Sequence, residues 1–329
     1  MTVISSATLA NGLRTEFVDT YTTTMHRQAD SRLASILDGI GATNRQHEFA
    51  YYNAPPGLTY WKRGNTIPVD SFDSVQFTVP VYEWGRRIPW SKWDRKDDQT
   101  SSLMEVARYC GESAAVLPEE LTFDVINGSS PLKLPAIPLA PDGAALYATT
   151  AGGSSRFAVS SGNLLTGTGV ASTATIQADY YNAIEQFGLF QDGKGYYLLR
   201  PDIISQGALI VHAMADTQAF HEAFYQLRQG RVLGTDAGTT PSNVIIDSAR
   251  NVDLWGTPRI ATGDWYIFLK AAPKKPFFLL DREGLQEFQA IEGDNNSDSV
   301  RDTAIEYVQW ELRQGIGVAL PYATIKINN

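Results

Sequence analysis

Residues 97–128, DDQTSSLMEVARYCGESAAVLPEELTFDVING, decide how the rest of the chain is read. Apolar side chains at Leu103, Ala107, Cys110, Ala114, Leu117, Leu121 and Val125 recur in steps of three or four, so they line one face of a helix. Thr100 or Ser101 can cap its start, with Asp97 and Asp98 just outside, where the helix dipole favours negative charge. Asn127-Gly128 supplies the stop. Pro118 removes one backbone hydrogen bond and crowds the preceding turn, while Glu119 and Glu120 suit the first turn of a new segment. The expectation is one long helix, kinked or briefly broken near Leu117. At 1.5 Å per residue it runs roughly 40 Å, more than the width of a small domain. A long core helix of an ordinary enzyme has the same periodicity, so spacing alone leaves both readings open.

The residue identities narrow the choice. The run Gly111-Glu112-Ser113-Ala114-Ala115-Val116-Leu117-Pro118-Glu119-Glu120-Leu121 closely resembles the GRSAAxxPDEL segment in the major head subunit of Mu-like tailed bacteriophages. In that family the segment lies on the long spine helix of the HK97-type capsid fold. The resemblance implies an α+β chain with an N-terminal arm (1–48) and an extended β-hairpin or E-loop (49–96). The spine helix and the first part of a P-domain would follow (97–172), then an α/β A-domain (173–243). A β-rich return (244–329) would complete both lobes. It also implies a shell-building protein rather than an enzyme, with no cofactor. Its partners would be copies of itself in hexamers and pentamers, with portal, scaffold and decoration proteins and, indirectly, packaged DNA. Its location would be the virion, after assembly in the host cytoplasm.

Composition is compatible with this. The chain has 329 residues, 43% hydrophobic and 19% charged, enough for two lobes with sizeable cores. A net charge of -9 argues against a protein that coats nucleic acid over its whole surface. Cys110 is the single cysteine, so an intrachain disulfide or a cysteine metal cluster is excluded. On the apolar helix face it reads as a small buried thiol. No basic start followed by an apolar core suggests a signal peptide, and no apolar run approaches eighteen residues, so no membrane partner is expected.

Working outward, residues 1–50 look like an arm with a short helix over Asn11 to Asp19, a polar break at Thr22-Thr23-Thr24, and a second weak helix ending through Ile36 to Gly41. Such a segment either packs on its own domain or embraces a neighbour. Residues 49–95 are rich in aromatics, with turn signals at Pro55-Pro56-Gly57 and Gly64-Asn65 and an alternating strand at Val75, Phe77 and Val79. An isolated two-stranded ribbon is marginal in water, so this one needs a surface to lie on. Tyr60, Trp61, Lys62 and Arg63, then Trp84, Arg86, Arg87, Trp90 and Trp93, interleave aromatic and basic groups. Those types are enriched at interface hot spots, which makes these nine residues the candidate subunit contacts. A nucleic-acid stacking surface is the competing reading of the same residues. Lys62 matches, by position only, the E-loop lysine that some capsids of this fold cross-link.

Residues 128–173 read as surface loop or short β-structure, with turns at Asp142-Gly143 and Gly152-Gly153 and with Leu146, Tyr147, Phe157 and Val159 seeking burial. Beyond them, Thr173 or Thr175 caps a helix with Ile176, Tyr180, Ala183, Ile184 and Phe187 on one face. Strands are expected at Tyr196 to Leu199 and Ala208 to Val211. Asp216 or Thr217 then caps a helix carrying Phe220, Phe224 and Leu227. Val244 to Ile246, Trp265 to Leu269 and Phe277 to Leu280 read as short buried strands, and the tail as a hairpin turning at Gln314-Gly315-Ile316-Gly317. His212 and His221 fall on different elements, the 293–299 loop lacks the glycine and glutamate of a calcium hand, and Asp281 and Glu283 have no evident cleft. The competing functions, an α+β hydrolase or an aromatic carbohydrate-binding module, therefore have no residue constellation to point to.

Overall fold

The structure is a computed structural model and describes residues 14–24, 32–52, 74–91, 102–128, 131–169, 171–229, 249–291 and 305–329. In chain order, helix α1 covers 14–24. Strands β1 (Leu37–Gly41), β2 (Gln46–Tyr52), β3 (Ser74–Pro80) and β4 (Tyr82–Ser91) precede the long helix α2 (Ser102–Asn127). Short strands β5 (Thr150–Ala151), β6 (Ser154–Ser155) and β7 (Leu164–Thr166) lead to helices α3 (Thr173–Leu189) and α4 (Pro201–Ser205), strand β8 (Ala208–Ala213) and helix α5 (Thr217–Arg228). Strands β9 (Asp253–Thr257), β10 (Trp265–Leu269), β11 (Phe277–Ile291), β12 (Ile305–Val318) and β13 (Thr324–Asn328) complete the described chain.

Helix α2 runs unbroken through Pro118, so the brief break that the proline suggests does not occur. Part of the reason is local. Thr122 Oγ1 donates to the Pro118 carbonyl at 2.7 Å, adding a side-chain bond in the turn after the proline. The rest is packing, since every residue from Leu121 to Ile126 is buried, so the second half is held on all sides. Gly128 ends the helix in the left-handed region (φ 65°) and its amide donates to Asp124 O at 3.2 Å, the glycine stop that the sequence suggests. The proposed caps at Thr100 and Ser101 lie outside the described residues.

Two sheets flank α2. One has the order β1-β11-β12-β4, with β1 parallel to β11 and the other pairs antiparallel. The other has the order β7-β13-β10-β8-β9, with β7 and β9 each parallel to its neighbour. Strand β8 is buried along its whole length, because the five-stranded sheet is covered on both faces. Leu209, Val211, Ala213, Tyr266 and Phe268 face the core under α2, while Ala208, Ile210, Trp265, Ile267 and Leu269 face the core under α3 and α5. Strand β11 splits likewise. Phe277 and Leu279 enter the α2 core, whereas Phe278 and Leu280 meet Val79, Val81 and Ala42 at the base of the β2–β3 pair.

Several expectations are corrected. Residues 37–41 are strand β1 rather than the end of a helix, because pairing with Phe277 to Asp281 overrides two glycines that read as stops. Thr22 to Thr24 continue α1 instead of breaking it. Tyr196 to Leu199 form no strand, only a bridge between Gln191 and Tyr197. Ser172, not Thr173 or Thr175, is the N-cap of α3, with Thr175 as the reciprocal member of its capping box. Gln314 to Gly317 are strand, paired with Asp281 to Phe278, rather than a turn. Their glycines are there for space: a Cβ on Gly315 would stand 2.2 Å from Pro80 O, and one on Gly317 2.3 Å from Phe278 Cζ. Residues 244–246 lie outside the described residues, and β9 is a strand the sequence reading missed.

Candidate assembly surfaces

Strand β4 carries the described part of the predicted contact set. It is an end strand of its sheet, paired to β12 from Tyr82↔Gln314 to Ser91↔Ile305. Because side chains alternate along a strand, neighbouring residues face opposite ways. Tyr82 and Trp84 pack edge to face at 6.2 Å and lean on the α2 core, and Trp84 Nε1 donates to Gln314 O at 2.9 Å. Trp84 is thus half-buried in its own chain. Arg87 lies on the other face, exposed, with Nε and Nη2 donating to Gln309 Oε1 at 3.0 and 2.6 Å. Glu83 and Arg313 pair across the same strands at 3.8 Å. Arg86 is exposed beside the buried Cys110 region. The backbone of Trp90 belongs to β4, and Tyr60, Trp61, Lys62, Arg63 and Trp93 lie outside the described residues.

The described pieces of the N-terminal region are anchored to the body. Phe17 is fully buried against Trp310, ring centroids 5.6 Å apart. Burying one such ring contributes about 1.5–3 kcal/mol. Helix α1 also lies against Gly111, the first residue of the family-like run: a Cβ there would stand 2.7 Å from Phe17 O and 3.2 Å from Tyr21 N. Only a glycine lets the two helix backbones come that close. At the base of the β2–β3 pair, Phe49 touches Phe77 (5.6 Å) and Phe278 (4.4 Å). Beside these rings a groove of about 240 Å³ opens between Ile40, Phe77, Tyr322 and Lys274.

Beyond α2 the loops are pinned by side-chain hydrogen bonds that the sequence reading missed. Asp124 accepts from the amides of Leu132, Lys133 and Leu134 at 2.7–2.9 Å, fixing the exit from the helix. Arg156 is buried and fully used. Its Nε and Nη2 form a two-pronged pair with Asp142 (2.7 and 2.9 Å), and its Nη1 reaches Ala145 O, Leu146 O and Asn163 Oδ1. A buried guanidinium is tolerated when all its donors are met in this way. No periodicity rule marks an arginine for burial. The turn residues Asp142-Gly143 pointed only to half of the pair. The next two residues, Phe157 and Ala158, hold left-handed backbone (φ 56° and 60°).

Among the described residues, the titratable groups do not converge on one cluster. Burial pushes the Cys110 thiol up to about 11, which keeps it protonated and unreactive at neutral pH. Burial lowers His212, whose Nδ1 lies 2.8 Å from Ala213 O and whose ring stacks on Phe220 at 4.3 Å. His221 lies on α5 and His212 on β8. Among the described residues no three His, Cys, Asp or Glu gather as a metal-ligand set, and no helix is long and apolar enough to cross a membrane. Asp216 stands at the N-cap of α5, but its carboxylate accepts from Gly263 N at 3.1 Å instead of capping the helix.

No protein-family model and no curated protein matches the sequence. Solved structures do. The capsid protein of the cyanophage P-SCSP1u superposes with a TM-score of 0.54 at 10% identity, covering 89% of this chain and 85% of its own. The capsid protein of a native GTA particle gives 0.53 at 12% identity, covering 90% of each chain. The protein of a virus-like particle from Pyrococcus furiosus gives 0.51 at 9% identity, covering 96% of this chain and 97% of that one. At such identities the likeness is one of fold, and it runs nearly end to end: this chain is folded as the proteins of those particles are.

Proposed function

We propose that this chain is the major capsid protein of a tailed bacteriophage, of the Mu-like kind, and that copies of it close into an icosahedral shell around phage DNA. The observation that carries this reading is the end-to-end fold likeness to particle-forming proteins, with coverage near complete in both directions for the Pyrococcus furiosus particle. An enzyme that had merely borrowed one lobe would match over one lobe. The run at Gly111 to Leu121 lies within α2, which suits a spine helix of an HK97-type subunit. In this reading 1–48 is the arm, and the β2–β3 pair is the root of an E-loop spanning 49–96. Residues 97–172 begin the P-domain, 173–243 belong to the A-domain, and 244–329 return through both.

The function is mechanical, and no cofactor enters it. Closed rings need complementary patches on different faces of one subunit. Tyr60, Trp61, Lys62 and Arg63 at the hairpin, and Trp84, Arg86, Arg87, Trp90 and Trp93 along and after β4, are the proposed contacts. Arg86 and Arg87 present the charge, whereas Trp84 supports the strand from behind. Portal, scaffold and decoration proteins are the further partners this role entails, the host cytoplasm the place of assembly and the virion the destination. The test is assembly itself. The purified chain is concentrated across a range of salt and viewed by negative-stain microscopy with sizing chromatography. Shells, rings or tubes are the expected products; a discrete monomer under every condition, in a chain shown to be folded, rejects the proposal.

A further inference from the structure

Strand β1 ends the four-stranded sheet, and among the described residues no strand lies along its other side. The ladder fixes which of its backbone groups face that side. Phe277 N donates to Ile36 O at 3.1 Å, and Ala42 N donates to Asp281 O at 2.9 Å. Between those ends a parallel ladder serves alternate residues, so Asp38 and Ile40 turn their amides and carbonyls to β11. Leu37, Gly39 and Gly41 turn theirs outward. Lys275 Nζ takes one outward acceptor, donating to Leu37 O at 3.2 Å while it pairs with Asp38 at 2.8 Å. Gly39 and Gly41 are exposed, and a Cβ on either would meet nothing within 4 Å. The side chains of Asp38 and Ile40 line the apolar groove beside Phe49 and Phe77. Open edges are ordinarily blunted by charge or proline, and the far end of the same sheet is. Carried across β11 and β12, the alternation leaves Glu83, Gly85, Arg87 and Pro89 on the open side of β4, where Pro89 offers no N–H.

We propose that β1 is a self-pairing edge: two copies of the chain join β1 to β1, antiparallel, about a twofold axis at Gly39, and so run their two sheets into one. The symmetry of the edge selects the occupant. Its outward positions, Leu37, Gly39 and Gly41, are spaced evenly about Gly39. The antiparallel image therefore brings Gly39 opposite Gly39 and Leu37 opposite Gly41. Each facing pair then exchanges both of its hydrogen bonds, as the bonded pairs of an antiparallel ladder do. Leu37 O keeps a second lone pair for this beside Lys275. The Asp38–Lys275 ion pair leaves β1 itself without an uncompensated charge, so two copies approach without repulsion between their strands. Pairing with β4 of a second copy would instead set a carbonyl against Pro89. On the groove side the two Ile40 residues become diagonal neighbours, about 7–8 Å apart. A strand of five residues buries far less than the roughly 800 Å² per partner of a stable interface, so the free dimer is weak. The pairing does not rest on the shell reading, since a dimer in solution satisfies it.

Position 39 supplies the test. Gly39→Glu sets two carboxylates face to face across the axis and Gly39→Lys two ammonium groups, while in the single chain either side chain enters open space. Matching circular dichroism shows that the variants are folded. Sedimentation equilibrium of the full 329-residue chain should find each variant alone dimerising about 1.5- to 5-fold more weakly than the parent. An equimolar mixture of the two should associate at least as tightly as the parent, because opposite charges then face each other. A short bis-maleimide should join Gly39→Cys into a covalent dimer and leave the parent single, its Cys110 being buried. A mixture no tighter than the separate variants, equal association of all the chains, or no cross-linking of Gly39→Cys would each overturn the pairing. Particles that form while Gly39→Cys stays unlinked reject this contact and keep the shell reading; linked dimers that never build particles do the reverse.

Discussion

His212 shows how burial turns one side chain into a pH-dependent contribution to stability. It sits in the interior strand β8 with Nε2 unpartnered, stacked flat on Phe220. Its pKa is lowered by burial, so the folded chain binds this proton less readily than the unfolded one. Its contribution is complete above the ordinary value of 6.5 and is lost as pH falls through the interval below it. The sign is opposite to that of Asp281, whose raised pKa places the loss on the alkaline side of its ordinary value. Urea midpoints at pH 7.5 and 5.5 should show the chain less stable in acid, by at most about 1.4 kcal/mol per pH unit from this group. His212→Asn should flatten that difference. An equal acid loss in the variant would assign the slope to other groups.

Among the elements, β12 is where composition misled and packing explains. Glycine inside a strand ordinarily costs about 0.5–1 kcal/mol against alanine, so Gly315→Ala would be expected to stabilise. Here the sign should reverse, because the new Cβ meets the backbone of Pro80 and Val81, which cannot swing aside as a side chain can. A loss of about 1–3 kcal/mol in chemical denaturation is expected, and a gain would mean the β3–β4 corner yields freely. The elements that were legible in advance share one property: their signal is local and periodic. The faces of α2, α3 and α5 and the apolar run of β10 are of this kind, and their described side chains, from Ala107 onward in α2, are buried as their spacing suggests. What was illegible depends on distant partners. Strand β1 exists because β11 lies beside it, and Gly315 avoids a corner more than two hundred residues away. Arg156 is buried because Asp142 and three acceptor oxygens await it. The nine candidate contact residues are proposed by type alone, and of these Trp84 donates to Gln314 of its own chain.

For the whole molecule, the informative experiment separates folding from assembly. Arg86 and Arg87 are exposed on opposite faces of an end strand, and Arg87 bonds Gln309 at the surface. Replacing both with glutamate should change the unfolding free energy read from urea denaturation by no more than about 0.5 kcal/mol, the usual reach of an exposed substitution. If these residues join copies, the same variant should fail to form particles under conditions where the parent forms them, as sedimentation would read directly. Particles of normal yield would remove these two arginines from the contact set while leaving the fold untouched.

The five-stranded sheet has a bearing on how such a body responds to load. A single layer of backbone separates the packing beneath α2 from that beneath α3 and α5, and side chains interlock with it from above and below. Close-packed interiors compress little, so a push on the long helix passes through the sheet to the packing on its other face. A wall made of these bodies would yield at its seams before any one brick bent.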